Sequence, residues 1–362
     1  MDFSHIQPTA LWQHFAALNA VPRPSKKEER VIAFMKAFGQ NLGLTTIVDQ
    51  AGNVIIKKAA TAGMEDRQTV ILQSHLDMVH QKNASTFFDF DQQGIEMYQD
   101  GDWIRAKGTT LGADNGIGVA AIMALLSSTD IPHPALEAFF TIDEETGMTG
   151  AKEMDASLLS GTILLNLDTE DDDELSVGCA GGIDTNTSYT YQEVPIQNGF
   201  STLEIQLSGL LGGHSGMDID KGRGNANKWM ARLLWELSHE QHIQLLHFDG
   251  GSLRNAIPRE ATAIIAVQDT VKALTQINAF AHILKDEYTL IEPHFILKAE
   301  SIQTSLHALS DLDFKKIIAT LCGVQNGVYR MSPDIMDLVE ASSSLARVII
   351  DKGSFTTQSL QR

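Results

Sequence analysis

Near the amino terminus the apolar positions recur at helical spacing. Pro8 to Asn19 carries Trp12, Phe15, Ala16 and Leu18 on a partial face, which predicts a helix. Pro22-Arg-Pro24 breaks it. Ser25 then stands where an N-cap would precede a second helix, Lys26 to Phe38, stopping near Gly43. Thr45 to Lys58 alternates around Asp49-Gln-Ala-Gly-Asn53 and predicts a hairpin. Thr69-Val-Ile-Leu72 is strongly β-favouring and leads into Gln73-Ser-His-Leu-Asp-Met-Val79. A polar, aromatic excursion from Phe87 to Trp103 reads as strands and loops. From Leu111 the order becomes helix, strand, loop, strand, as in an α/β sheet covered by helices.

Between Gly181 and Gly199 the composition turns polar and glycine-rich, and the domain boundary is placed there, giving domains 1–185 and 186–362. The second block opens with a strand, Thr202 to Ser208, followed by Gly212-Gly-His-Ser-Gly-Met217. A long helix, Asn225 to Glu240, sets Trp229, Leu233, Leu234 and Leu237 on one face. Strand (Ala261 to Val267), helix (Val271 to Leu284) and strand (His294 to Ala299) complete an α+β unit on an antiparallel sheet.

Chemistry enters at His75 and Asp77. Two apart in a strand, they point to one face. An imidazole with a carboxylate beside it suits a metal ligand held by its partner, which fixes the tautomer and ring orientation. Taken alone, a His-x-Asp in a strand is more often a local hydrogen-bonded pair or a solvated edge. Three further segments end apolar runs with acids. Asp114 lies in Leu111-Gly-Ala-Asp-Asn-Gly-Ile-Gly118, just before the apolar run Val119 to Leu126, where an N-cap is the plainer reading. Ala138-Phe-Phe-Thr-Ile runs into Asp143-Glu-Glu145, and Thr162-Ile-Leu-Leu-Asn-Leu ends at Asp168, followed by an acidic loop through Glu174. Either could be a solvated strand end. Taken together, one His and several acids lie at the carboxyl ends of neighbouring strands, where open α/β sheets carry their sites.

Length and composition narrow the picture. A chain of 362 residues exceeds one ordinary core and predicts two domains. With 27 basic against 46 acidic residues the net charge is −19, which argues against nucleic acid or an anionic membrane as partner. Cys179 and Cys322 have no CxxC spacing, so a reducing compartment with two buried, inert thiols is expected. The start, Met1-Asp-Phe-Ser-His-Ile6, has no basic segment followed by an apolar one, and no apolar run reaches membrane length. A cytoplasmic location follows.

The ordered motifs His-x-Asp, Gly-Ala-Asp-Asn-Gly, Asp-Glu-Glu-x-Gly and Asn-Leu-Asp-x-Glu resemble those of the dinuclear zinc exopeptidases. That family includes carnosinase-type dipeptidases, carboxypeptidases and aminoacylases, and the likeness is strongest to its histidine-releasing dipeptidases. It covers nearly the whole chain. The resemblance implies an α/β catalytic domain with a mixed, largely parallel sheet, plus an inserted α+β lid and dimerisation domain. It implies that His75, Asp114, Glu145 and Asp168 are metal ligands, with Asp114 bridging and a cis peptide after it. Glu144 falls on the general base and Asp77 on the acid that clamps His75. Two divalent ions are implied, zinc with cobalt or manganese as alternatives. His214 falls on a substrate-contacting His, often aimed at the other subunit's site and suited to donating to an oxyanion. Asn255, in Leu253-Arg-Asn-Ala-Ile-Pro258, falls on a substrate contact, and Arg362 on the Arg that holds the substrate carboxylate. The partners implied are a dipeptide such as β-alanyl-histidine and a second copy of the chain.

Two departures accompany the resemblance. The family pattern expects Gly at Asp337 and Asn at Ser344, which places the local packing of the second domain in question. It also continues past Arg362 with a returning segment that brings a last His ligand to the metal on the Glu145 side. That segment is absent from the sequence, which predicts a catalytic domain lacking part of its core and a site one ligand short. His80 and His133 lie outside the motifs. Three functions stay open: a metallodipeptidase acting on unblocked dipeptides, a catalytically incomplete relative serving as a dimerising or binding protein, and an N-acyl amino acid amidohydrolase.

Overall fold

The first predicted helix forms as α1 (Thr9–Asn19), burying Phe15 and Leu18. In the second, α2 (Glu29–Asn41), the first turn begins later than the Ser25 cap predicts, and no side chain caps it. Ser25 instead donates its hydroxyl to Asp77 Oδ2 at 2.7 Å, so the predicted cap is corrected to a tertiary contact. The computed structural model describes residues 3, 5–169, 178–304 and 306–362. The acidic loop from Glu170 to Glu174 lies outside the described residues.

The chain divides into two units, Met1–Val177 and Gly178–Arg362. In the first, β1 (Thr45–Val48) and β2 (Val54–Lys58) form the predicted hairpin, and β3 (Val70–His75) carries His75 at its last position. A separate hairpin, β4 (Met97–Asp100) with β5 (Trp103–Ala106), occupies the aromatic excursion. Then come α3 (Ala113–Ser127), β6 (Leu136–Thr141), a short α4 (Thr149–Lys152) and β7 (Ile163–Asn166). The five-stranded sheet is mixed, in the order β1-β2-β6-β3-β7. β3 runs parallel to both neighbours, with His75 beside Thr141 and Gln73 beside Asn166. The carboxyl ends of β6, β3 and β7 therefore emerge together.

β6 is buried at every position because it is central and covered on both faces. Its Ala138 and Phe140 pack with Leu72, with Val31 and Met35 of α2, and with Val119, Ile122 and Met123 of α3. Phe139 faces the other way, onto Ile55 and Ile71. Glu137 is a buried carboxylate in this strand, paired with Lys57 Nζ at 2.8 Å and accepting from the backbone of Ser160 and Gly161. β7 closes the sheet, and its Ile163, Leu164 and Leu165 are exposed.

In the second unit come β8 (Ile183–Thr190), β9 (Glu193–Val194), β10 (Ser201–Ser208), β11 (Gly213–His214), α5 (Ala226–Glu240) and β12 (Ile243–Gly250). β13 (Ala256–Ile257), β14 (Ala261–Val267), α6 (Thr270–Tyr288), β15 (Ile296–Ile302) and β16 (Ala308–Leu309) follow. The unit ends with α7 (Asp311–Gly323), β17 (Gly327–Met331), β18 (Val339–Asp351) and β19 (Ser354–Gln361). Its main sheet is antiparallel in the order β15-β10-β14-β12-β18-β19-β8, with β17 paired to β18. Helix α5 presents the predicted Trp229, Leu233, Leu234 and Leu237 to Leu203, Ile205, Leu207 and Ile265. Because β8 pairs along its length with β19, the polar stretch after Gly181 is already part of this sheet, and the units divide before it.

Both substituted positions in the second domain have a structural counterpart. Asp337 sits at φ +60°, a left-handed conformation that favours glycine. Ser344 is buried with no hydrogen-bond partner for its hydroxyl. The cysteines contradict expectation: Cys179 and Cys322 are both exposed, although the Cys322 thiol lies 3.7 Å from the Ala231 carbonyl oxygen of α5. Among the described residues no helix is long and apolar enough to cross a membrane.

Candidate active site

Three parallel strand ends and one helix start supply the site. His75 closes β3 with its ring buried, and Asp77 follows it with no solvent exposure. Nδ1 of His75 lies 3.1 Å from the Asp77 carbonyl oxygen and 3.3 Å from Asp77 Oδ1, which leaves Nε2 to face the acids. Nε2 is 2.9 Å from Asp114 Oδ1, 3.8 Å from Asp168 Oδ2 and 3.9 Å from Glu144 Oε2. Two groups of three share His75: one with Asp114 and Glu145, the other with Glu144 and Asp168, each with ligand atoms within 4.8 Å of one another.

The acids are aimed by local backbone. Asp114 is non-helical at φ −76°, ψ 114° inside the first turn of α3, and the Asp114-Asn115 peptide is cis, as the resemblance implies. Asn115 then turns inward and donates to Leu167 O at 2.9 Å and Asp168 Oδ1 at 2.8 Å, tying the start of α3 to the end of β7. After β6, Asp143 takes φ +53° and accepts from Thr146, Thr149 and Lys26, so the chain leaves plain strand geometry where adjacent acids must diverge. Asp77 accepts from the backbone N–H groups of Glu144 at 3.0 Å and Glu145 at 3.2 Å. One carboxylate thus clamps the imidazole on one side and the Glu144-Glu145 turn on the other.

The electrostatics ask for cations. Burial and the neighbouring Asp114 push Glu145 up to about 8. Burial, with Asp168 and the other acids, also raises Glu144, and burial with Asp114 raises Asp168. His75 pays for burial, yet its contacts to Asp114 and Asp77 raise it to about 11. Burial opposes the Asp77 charge as well, but His75, the Glu144 N–H and Ser25 keep it low. One oriented imidazole and several mutually repelling carboxylates are the donor set of hard or borderline divalent metals, and the residues fit two such ions.

His214, Asn255 and Arg362 meet in the second unit. His214 on β11 pairs with Ala256 on β13, Ser215 N–H donates to Asn255 O at 2.8 Å, and Arg362 Nη2 lies 3.2 Å from His214 Nε2. Sequence reasoning missed the residues that support the first-unit centre. Ser25 was read as a cap, and Arg23 only as part of a break; the β-bridge between Pro24 and Met78 places both against Asp77. The flanking prolines were the only signal, and they report an extended backbone without saying what it lies beside.

Comparison with known proteins agrees with this geometry. Residues 205–290 match the model of the peptidase dimerisation domain of M20 peptidases. Over 351 residues the chain is 41% identical to the cytosol non-specific dipeptidase of Escherichia coli, spanning 96% of this chain and 72% of that protein. The chain belongs to the M20 metallopeptidase family. A solved M20 relative, the aminoacylhistidine dipeptidase of Vibrio alginolyticus, superposes with a TM-score of 0.56 at 42% identity, covering 100% of this chain and 74% of that one. The α/β unit with a mixed sheet and the α+β unit on an antiparallel sheet are those of an M20 peptidase.

Proposed function

We propose that this chain, a metal-dependent dipeptidase, cleaves unblocked dipeptides with carboxyl-terminal histidine, such as β-alanyl-histidine, using two zinc ions. The observation that carries the reading is the convergence of Asp114, Asp168 and the Glu144-Glu145 turn on the buried His75 ring. Asp114, beside His75 Nε2, would be the ligand shared by the two ions, with Glu145 and Asp168 as further ligands. Two divalent ions held there would supply Lewis acidity to the scissile carbonyl and to the attacking water. Glu144 takes a proton from the attacking water and returns it to the leaving amine, a role suited to a carboxyl raised by burial. Asp77 holds the His75 tautomer and fixes the direction in which Glu144 leaves the backbone.

The first unit is the catalytic domain in this reading, and the second is the lid and dimerisation domain. His214 steadies the oxyanion, Asn255 contacts the substrate and Arg362 holds its carboxylate. The local chemistry favours an anion at His214: Nδ1 faces the Met217 N–H at 3.2 Å and Nε2 faces an arginine, which has only donors. A neutral imidazole can accept at one nitrogen only. An anionic oxygen would satisfy the donors that then face each other. The relatives, a cytosol dipeptidase and an aminoacylhistidine dipeptidase, support a dipeptide substrate and a cytoplasmic location. The dimerisation-domain match supports a homodimer, for which a two-protomer mass in light scattering is the check.

Metal stoichiometry tests the centre. The chain is expected to bind two equivalents of zinc, and Asp114→Ala to lose metal together with turnover. A full metal complement in that variant would remove Asp114 as the bridge.

A further inference from the structure

Arg23 has no role in the steps above, yet its side chain is 1% exposed and lies directly behind the proposed metal centre. Nη1 donates to the carbonyl oxygens of Leu76 at 3.0 Å and Asp77 at 3.1 Å. Nη2 donates to Asn19 Oδ1 at 2.9 Å and to Gly112 O. Those carbonyls belong to two different segments. Leu76 and Asp77 follow β3 and continue from His75; Gly112 precedes α3 two residues before Asp114.

We propose that Arg23 is a positioning residue for the metal centre, a buried guanidinium that fixes the separation of the His75-Asp77 segment from the Asp114 turn. The proposal rests on the two-metal reading of that centre. Only a planar fork with several N–H groups in fixed directions spans acceptors on three sides at once. A lysine ammonium reaches them from a single point. The surroundings are shaped for the fork: a Cβ at Gly112 or Gly116 would lie 2.5 or 2.6 Å from Nη2, so a side chain at either position would displace the guanidinium.

Charge adds to the argument. Burial lowers the Arg23 pKa to about 10, while Asp77, Asp114 and Glu145 favour its charged form, so it stays a cation at neutral pH. It is a permanent positive charge behind a cluster of acids, placed where its hydrogen bonds go to backbone carbonyls and to Asn19. A residue that served only to fill the core would not need a charge there, since burying one without carboxylate neighbours is costly.

The test compares Arg23→Lys and Arg23→Met with the unaltered chain, reading zinc and cobalt affinity by chelator competition, the absorption spectrum of bound cobalt, and folding by circular dichroism. Both variants are expected to fold. Metal affinity is expected to fall about 10- to 100-fold, the range found when a group supporting metal ligands is removed, with a changed cobalt spectrum in each. Variants that fold and bind metal with unaltered affinity and spectrum would overturn the proposal while leaving the two-metal reading intact. Failure of both to fold would assign Arg23 to the stability of the unit and overturn it too. If the unaltered chain bound no metal, the two-metal reading would fall and this proposal with it.

Discussion

At Asp77 a fully buried carboxylate accepts from Ser25 Oγ and from two consecutive backbone N–H groups while facing the His75 ring. The neighbouring Glu144 is left partly exposed with a raised pKa, so the two acids divide into a fixed anion and a group able to exchange a proton. Glu144→Gln is therefore expected to lower turnover by about 10²- to 10⁴-fold while leaving both metals bound. Parallel kinetics and metal analysis check this, and turnover close to that of the unaltered chain would remove Glu144 as the base. The residues of the proposed centre were legible in the sequence because each ends an apolar run within a short motif. Arg23 and Ser25 were not, because their partners are the carbonyls and carboxylate of a segment some fifty residues on, reached by one bridge between Pro24 and Met78.

At the scale of elements, parallel pairing of β3 with β6 and β7 turns motifs far apart in sequence into one cluster. Strand β6 has to be apolar on both faces to hold that arrangement, and its one acid, Glu137, is neutralised by Lys57 and held by Ser160 and Gly161. Burial raises the Glu137 pKa, but those contacts outweigh it and bring it to about 2. A carboxyl depressed in the folded state stabilises the fold fully above its unfolded value, near 4.3, and that contribution is lost as pH falls towards 2. Glu137→Gln is expected to cost about 1–3 kcal/mol at pH 7 and to flatten the loss of stability between pH 4.5 and about 2. Denaturant titrations across that range check it; an unchanged acid limb would show that Glu137 is not a source of the pH dependence. Periodicity located most helices and strands, since 3.6- and 2-residue repeats report which face is buried. It could not show that Ser25 reaches Asp77 or that both cysteines are exposed, because those outcomes depend on tertiary neighbours.

At the scale of the molecule, composition and motif order foretold two units of different architecture, and the division falls between Val177 and Gly178. The net charge of −19 is spread through the chain, but Asp114, Glu144, Glu145 and Asp168 converge at one site in the first unit, so repulsion there is local and open to relief by divalent cations. His214, Asn255 and Arg362 assemble within the second unit from β11, the residue before β13 and the residue after β19, a grouping that spacing along the chain could not reveal. The central claim is metal-dependent cleavage of a dipeptide. It is tested most directly by following histidine release from β-alanyl-histidine and glycyl-histidine by the purified chain, with zinc or cobalt added and with a chelator control. Release that requires metal and stops with chelator is the predicted result. No release with both metals bound, or release unaffected by the chelator, would contradict the account.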